Sequence, residues 1–560
     1  MWNHKQLLFA ATKRSLVQAV QATSSRKAPV VLWNSGARHF SSVVPDYRHD
    51  DDDHSTESYS QNREALQKLL TASSTAASST STSKEQLNDT PTNDGAVQAE
   101  NDAFNSPNEL TYTGGATIPV TSDLHIVTPQ EDTPRGVWPI FRIMDEDGKF
   151  RDGNSDAYRF ETTTETLYGR KTSDRVAGTN PSLDSLREKL KKDYPRHAPS
   201  IDQAALLTPS VHAYPDIQSN DSLLRAYTQM VRLREMDKIL QNAQRQGRIS
   251  FYMTCHGEEA IHIGAASALE LRDTVLAQYR EAGVLMWRGF TLNQFTDQCF
   301  SNSKDLGKGR QMPVHYGSRA LNYQTISSPL GTQIPQAAGA AYRLKLARKD
   351  AVAACFFGDG CASTTDFHSG LNFAATLSAP VIFFCRNNGY AISTPVTDQY
   401  AGDGIISRAP GYGMAAIRVD GNDIFAVHEA VRKAREYALQ HHAPVLIEAM
   451  TYRQGHHSTS DDSLRYRSGK EVQSFADRGD PIGRLQKFMK RNAQLTPDDF
   501  AAIEHREKLA VIEAMREAEQ KPKPPLGDLF EDVYNEMPQS LKEQERQLHE
   551  HLQKYPKHYQ

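Results

Sequence analysis

Two apolar runs, each ending in a polar cluster, constrain this chain more than any other feature. They lie in the stretch from Ala351 to Thr394, AVAACFFGDGCASTTDFHSGLNFAATLSAPVIFFCRNNGYAIST. The first run, Ala351 to Phe357, ends at Gly358-Asp359-Gly360. The second, Pro380 to Cys385, ends at Arg386-Asn387-Asn388. Parallel neighbours in one sheet need a crossover of a dozen or more residues, and the segment from Cys361 to Ala379 is long enough to supply one as a helix. The pattern therefore predicts strand, helix, strand, with both polar clusters at the carboxyl edge of the sheet. Open α/β sheets bind ligands at that edge, because helices begin there and offer unpaired N–H groups to anions. Asp359 brings a carboxylate and Asn388 an amide carbonyl, hard oxygens suited to a divalent cation, while the glycines permit close backbone approach to a ligand. A Gly-Asp-Gly turn alone is an ordinary strand end. The discriminating feature is its pairing with Asn-Asn across the 26 residues from Cys361 to Arg386.

That spacing resembles the signature of thiamine diphosphate enzymes. In them the Asp, the second Asn and a backbone carbonyl two residues later hold Mg²⁺; carried over, these are Asp359, Asn388 and Tyr390. The strand, helix, strand pattern repeats downstream as MAAIRV, a helix to about Gln440, and PVLIEAMTYR, which adds parallel strands to the same sheet.

The 560 residues carry a net charge of −4, which gives no basic field for nucleic acid. No apolar run approaches the roughly eighteen residues of a membrane span, so no membrane insertion is expected. Cys255, Cys299, Cys355, Cys361 and Cys385 lack CxxC spacing and read as reduced, mostly buried thiols.

Five segments are expected. Residues 1–40 hold Lys and Arg but no Asp or Glu, the composition of a mitochondrial transit peptide, with Arg38-His39-Phe40-Ser41 as a matrix-protease site. Residues 41–118 are rich in Ser, Thr and Asp and bury too little apolar surface to offset chain entropy, so they are expected to be disordered. Residues 119–219 form an N-terminal extension. In it WPIFRIMDEDGKF reads as two short strands around Asp147-Gly148, and a polar insert holds a short helix near Ser182 to Asp193. Residues 220–480 carry the binding domain, entered by a packing helix on Leu223, Tyr227, Met230, Val231 and Leu240. Residues 481–560 are helical, with Thr496-Pro497-Asp498-Asp499 as a cap.

Three further clusters stand out. Tyr279-Arg280 follows an apolar stretch, and the fork of an arginine suits phosphate. Ser327, Ser328, Pro329, Leu330, Gly331, Thr332 and Gln333 precede a helix of small residues, and read as a monovalent-cation cage or as ordinary N-capping. The Ala/Gly face of that helix permits close helix approach, including across a subunit interface. His456-His457 opens the polar loop that follows the last strand; histidines there titrate near neutral pH and serve phosphate contact or proton transfer.

The strings QRQGRISFYMT, QYREAGVLM, DLGKGRQMPVHYG, TISSPLGTQIPQA, CRNNGYAISTP, RVDGNDIFAV and IEAMTYRQGHHSTSDDS together resemble the alpha subunits of the mitochondrial branched-chain 2-oxoacid dehydrogenases, the thiamine diphosphate-dependent decarboxylating first component. The resemblance implies the thiamine diphosphate-binding fold, a mostly parallel sheet with helices on both faces, and a matrix location. It implies thiamine diphosphate contacts at Tyr279, Arg280, Ser328, Leu330, Gly358, Gly360, Cys361, Arg386 and His457, with His457 catalytic, and K⁺ at Ser327, Pro329, Thr332 and Gln333. Ser458 and Ser468 match serines phosphorylated by the family's kinase and released by its phosphatase. The implied reaction is oxidative decarboxylation of a branched-chain 2-oxo acid, with acyl transfer to a lipoyl group on an acyltransferase core. The implied assembly is an α₂β₂ tetramer in which the beta subunit supplies the activating glutamate. Three features depart from the pattern: Thr364-Thr365 replace Glu-Gly, Cys361 replaces Ala, and the N-terminal segments are long. These admit a catalytically weak or non-catalytic structural or regulatory paralogue, and the shared metal motif admits a pyruvate dehydrogenase alpha subunit.

Overall fold

The computed structural model describes residues 108–112, 117–124, 126–128, 137–151, 220–492 and 495–558. The expected transit peptide and the expected short helix near Ser182 lie outside them. The strands are β1 (Glu109–Thr111), β2 (Thr117–Thr121), β3 (Ile140–Phe141), β4 (Thr274–Leu276), β5 (Ala353–Gly358), β6 (Val381–Asn387), β7 (Tyr390–Ala391), β8 (Thr394–Pro395), β9 (Ala415–Asp420) and β10 (Val445–Met450). Eight of them form one sheet in the order β1-β2-β3-β9-β10-β6-β5-β4, parallel except for β1 against β2, and β7 and β8 form a separate hairpin. The helices are α1 (Asn220–Arg245), α2 (Glu259–Ser267), α3 (Ala282–Trp287), α4 (Leu292–Cys299), α5 (Gln333–Leu346), α6 (Thr365–Thr376) and α7 (Val396–Gln399), then α8 (Ile424–His441), α9 (Gly469–Gly479), α10 (Pro481–Asn492), α11 (Pro497–Gln520) and α12 (Gln539–Lys554).

Side-chain alternation along the central strands builds two cores. Phe356, Ile382, Phe384, Ile417 and Ile447 point to one face, where residues of α1, α2, α8, α10 and α11 cover them. Ala353, Cys355, Phe357, Val381, Phe383 and Leu446 point to the other, beneath α5 and α6. This accounts for the near-continuous apolar runs: a parallel strand covered on both faces has no polar side. The Ala-rich helix α5 buries Ala337, Ala338 and Ala341. A Cβ on Gly370 of α6 would lie 2.7 Å from Ile334 Cγ2, so the close approach permitted by small residues is made within the chain.

The register aligns the loop-bearing strand ends. Gly358 pairs with Arg386, and Met450 with both Asn387 and Asp420. The loops after β4, β5, β6, β9 and β10 therefore open on one edge.

The N-terminal part differs from expectation in two places. Antiparallel pairing starts at Glu109, inside the stretch expected to be disordered. Its Leu110 and Tyr112 pack against Ile118 in the next strand and against Ile140 and Met450, of which the last two are distant partners that composition does not reveal. Of the two strands expected around Gly148, only Ile140–Phe141 joins the sheet. Met144 and Phe150 make an isolated bridge, because the Asp145 carboxylate takes the N–H groups of Asp147 and Lys149 and tightens the turn. In the C-terminal region Thr496 caps α11 in a capping box with Asp499, with Pro497 at the first turn, as the sequence indicates. No helix among the described residues is long and apolar enough to cross a membrane.

Candidate active site

The carboxyl edge is organised around Arg386, the buried penultimate residue of β6. Its Nε donates to Glu281 Oε1 at 2.6 Å and its Nη1 to Glu258 Oε2 at 2.7 Å. Burial works against the guanidinium charge, and the carboxylates of Glu281 and Glu258 outweigh it, so the pKa of Arg386 lies above its ordinary value. Burial likewise pushes Glu258 up, but Arg386 and then Arg280 hold its carboxyl below the usual range. The second oxygen of Glu281 accepts from the N–H groups of Gln278 (3.0 Å) and Tyr279 (2.9 Å), which shapes the turn after β4. Gln278 Oε1 in turn accepts from Gly358 N at 2.7 Å, tying that turn to the end of β5.

Asp359 follows directly and is buried. Its Oδ2 accepts from Gln399 Nε2 at 2.7 Å; burial pushes its carboxyl up, and Gln399 together with the N–H of Asn388 offsets part of this. Asn388 donates from Nδ2 to Glu258 Oε1 at 2.7 Å, and its Oδ1 accepts from Tyr390 N at 3.3 Å. An amide whose NH₂ is tied to a carboxylate must present its oxygen on the other side. The Tyr390 hydroxyl donates to Glu471 Oε1 at 2.9 Å, and its carbonyl accepts from Arg453 Nη1 at 3.5 Å. Gly360 is required where it stands: a Cβ there would lie 2.6 Å from the Ala391 Cβ.

Two further loops border this cluster. At φ +90° Gly331 takes a conformation that glycine favours, and a Cβ on it would lie 2.5 Å from Thr364 Oγ1, so the loop before α5 meets the loop after β5. Ser328 and Leu330 are exposed beside it. His315 Nδ1 faces Pro313 O at 3.1 Å, which leaves Nε2 to accept the Ser328 hydroxyl at 2.9 Å. Thr332 does not cap α5; its hydroxyl donates to Pro329 O at 3.1 Å, setting two oxygens side by side, so the N-capping reading does not hold. Gln333 is buried and donates to Phe356 O at 3.2 Å. Ser327 is half-buried at the start of the loop.

The loop after β10 folds back over Arg280. The Arg280 guanidinium, itself buried, donates from Nη1 to Thr254 O and from Nη2 to His457 O, and its Nη2 lies 3.2 Å from His457 Nδ1. Arg453 Nη1 reaches the same nitrogen at 3.4 Å, and the Tyr279 and His457 rings meet edge to face at 6.3 Å. His457 does not titrate near neutrality, contrary to expectation. Burial and then the charges of Arg280 and Arg453 lower its pKa from 6.5 to about 3. With Nδ1 accepting, the neutral ring carries its proton on Nε2. Because the folded pKa is depressed, this residue does not oppose the folded loop above about 6.5, where it is neutral in both states, and opposes it progressively as pH falls toward about 3. His456 belongs to a different contact, with its Nδ1 accepting from Ser463 N at 3.0 Å. The histidines thus do not act as a pair, and no group of three His, Cys, Asp or Glu that could hold a metal occurs among the described residues.

Ser458 is half-buried, and its carbonyl accepts from Asp461 N at 3.1 Å while Asp461 Oδ2 accepts from His457 N at 2.7 Å. Ser468 is the N-cap of α9 and accepts from Glu471 N at 3.1 Å.

The departures Thr364, Thr365 and Cys361 fit the local structure. Thr364 caps α6, accepting from Phe367 N at 3.4 Å, and Asp366 returns an acid to the first turn. The Cys361 side chain turns into the core beneath α5 and α6, where burial pushes its thiol up to about 12. Only its backbone is left for the site.

Glu258, Glu281, Gln278 and Arg453 are absent from the residues singled out by sequence. The available signals were weak: Glu258-Glu259 adjoin in an otherwise apolar tract, and Glu281 lies one residue beyond Tyr279-Arg280.

Residues 227–526 match the model of a family described as Dehydrogenase E1 component. The chain is 55% identical over 339 residues to the human 2-oxoisovalerate dehydrogenase subunit alpha, mitochondrial, covering 60% of this chain and 76% of the relative. It is 53% identical over 342 residues to the protein of the same name from Dictyostelium discoideum, covering 61% and 78%. It is 53% identical over 336 residues to subunit alpha 1 of Arabidopsis thaliana, covering 60% and 71%. With the parallel sheet and this edge, these similarities mean that the chain belongs to the dehydrogenase E1 component family, among the alpha subunits of 2-oxoisovalerate dehydrogenases.

Proposed function

We propose that this chain is the alpha subunit of a mitochondrial matrix enzyme that decarboxylates branched-chain 2-oxo acids and delivers the acyl group to a lipoyl-bearing acyltransferase. The observation that carries the reading is one sheet edge holding a buried carboxylate, an oriented amide oxygen and two buried guanidinium groups. This donor set fits thiamine diphosphate with Mg²⁺, because the hard oxygens of Asp359 and Asn388 and the carbonyl of Tyr390 suit the metal, while Arg280 and Arg386 suit the diphosphate. Gly358, Gly360 and the Cys361 backbone would line the close approach, with Tyr279, Ser328 and Leu330 bordering it. When bound, the cofactor supplies the electron sink for loss of CO₂. Neutral His457, with Nε2–H as donor, would bind and orient without adding charge. The oxygens of Ser327, Pro329, Thr332 and Gln333 would take K⁺. Glu258 and Glu281 are held by Arg386, and Asp359 is assigned to the metal, which is consistent with an activating glutamate from a beta subunit in an α₂β₂ assembly.

The test is release of CO₂ from 3-methyl-2-oxobutanoate by the chain co-expressed with a beta chain, alongside calorimetric titration of thiamine diphosphate with Mg²⁺. Turnover with preference over pyruvate is expected; absence of cofactor binding overturns the reading. A kinase and phosphatase acting at Ser458 and Ser468 fit the loop geometry. Phosphate at Ser458 adds roughly −1.5 to −2 charges beside Asp461, the residue that holds His457 N. Ser458→Glu is therefore expected to cut decarboxylation by roughly a hundredfold or more, about 3 kcal/mol in the barrier, with tetramer assembly unchanged by gel filtration. Full activity in that variant would exclude control through this loop.

A further inference from the structure

Glu258 joins two functional groups of the edge. It precedes α2, is fully buried, and divides its two oxygens between two different functional groups. Oε2 takes Arg386 Nη1 at 2.7 Å and Oε1 takes Asn388 Nδ2 at 2.7 Å. We infer that Glu258 is the positioning residue of the metal and diphosphate site, setting through one carboxylate which atoms Asn388 and Arg386 present to a ligand. The inference rests on the function proposed above.

An Asn side chain can expose either its oxygen or its NH₂, and only the oxygen ligates a cation. Because Glu258 accepts from Nδ2, the NH₂ face is committed and Oδ1 is turned away from it. Arg386 is constrained in the same way. Nε and Nη1 are used by Glu281 and Glu258, whereas Nη2 makes no hydrogen bond among the described residues and lies 4.0 Å from where a Cβ on Gly358 would stand. The free edge of the fork is thus aimed at the glycine turn. A carboxylate is needed at 258 because both neighbours are donors; an amide there satisfies one and opposes the other.

Donor and acceptor logic supplies the test. In Glu258→Gln the new NH₂ faces either Asn388 Nδ2 or Arg386 Nη1, so the Asn388 amide turns over or the arginine loses a bond. In Asn388→Asp two carboxylates face each other across the same short distance. In the double variant E258Q/N388D every bond is restored in reversed sense. The introduced amide donates to the introduced carboxylate and still accepts from Arg386, and that carboxylate keeps its other oxygen for the metal. With the chain co-expressed with its beta partner, the Mg²⁺ concentration needed for half-maximal thiamine diphosphate binding is measured by titration calorimetry. Each single variant is expected to need about 10- to 100-fold more Mg²⁺, the usual effect of losing a group that orients a metal ligand. The double variant is expected to recover most of that. A merely structural role predicts additive losses and no recovery. If Glu258→Gln fails to fold, Asn388→Asp against the double variant gives the same comparison. Unchanged Mg²⁺ dependence in a folded single variant, or no recovery in the double, overturns the inference and leaves the function intact. A wild-type pair that binds no cofactor overturns both.

Discussion

Asp359→Asn is expected to abolish Mg²⁺-dependent thiamine diphosphate binding while leaving the fold in place. The new amide keeps the one side-chain contact the carboxylate makes, since its oxygen still accepts from Gln399 Nε2. What it loses is a unit charge at a buried position. At an effective dielectric of about 20, two unit charges about 4 Å apart interact by about 4 kcal/mol, so the loss against a cation is about a thousandfold in affinity or more. Titration calorimetry on the co-expressed pair measures it directly. Binding within tenfold of wild type would show that the metal rests on other ligands. The melting curve is the control, and removal of Mg²⁺ by a chelator is expected to give the wild type the same phenotype.

Arg386→Met has a comparably large expected effect but of a different kind, on stability. The guanidinium is the hydrogen-bonded ion-pair partner of both Glu281 and Glu258, and all three side chains are fully buried. Removing it leaves two carboxylates facing each other away from water. Breaking a buried pair in this way costs about 3–5 kcal/mol, a large part of a typical domain's stability. The expected result is a lower denaturant midpoint at unchanged slope. Adding Glu258→Gln and Glu281→Gln to the same chain is expected to return much of the loss, because the uncompensated charges are then gone. A midpoint equal to wild type in Arg386→Met would mean that the carboxylates find water or protons at no cost. The two experiments separate the proposed ligand, Asp359, from the Arg386 frame beside it.

Much of this site could be read along the chain. The runs Ala351–Phe357 and Pro380–Cys385 are apolar on both faces, a demand that only a covered parallel strand makes, and Gly358-Asp359-Gly360 and Asn387-Asn388 end them. Strand register then had little freedom, since a one-residue slip would reverse the side chains between the two cores. Composition gave a less accurate boundary at the N-terminal side, where Glu109–Thr111 pairs with Thr117–Thr121 and the apolar residues there pack on Ile140 and Met450, far along the chain. The histidine pair was the clearest misreading. His456 and His457 are adjacent in sequence, but the backbone sends one to Ser463 and the other between Arg280 and Arg453. Thr364-Thr365, which replace Glu-Gly, leave the helix terminus supplied, because Asp366 and the Thr364 hydroxyl act there locally.

By itself the sequence determined the strand, helix, strand order around Asp359 and Asn388, the spacing of those two residues, and the family likeness. Such properties follow from local periodicity and from residues fixed by covalent distance. Only the tertiary structure decided that Glu258 and Glu281 clamp Arg386, that Asn388 presents its oxygen, and that His457 is neutral. These depend on which groups meet after water has been excluded. Desolvation and pairing are properties of a place in the fold, and the 128 positions separating Glu258 from Arg386 leave no periodic trace of their contact.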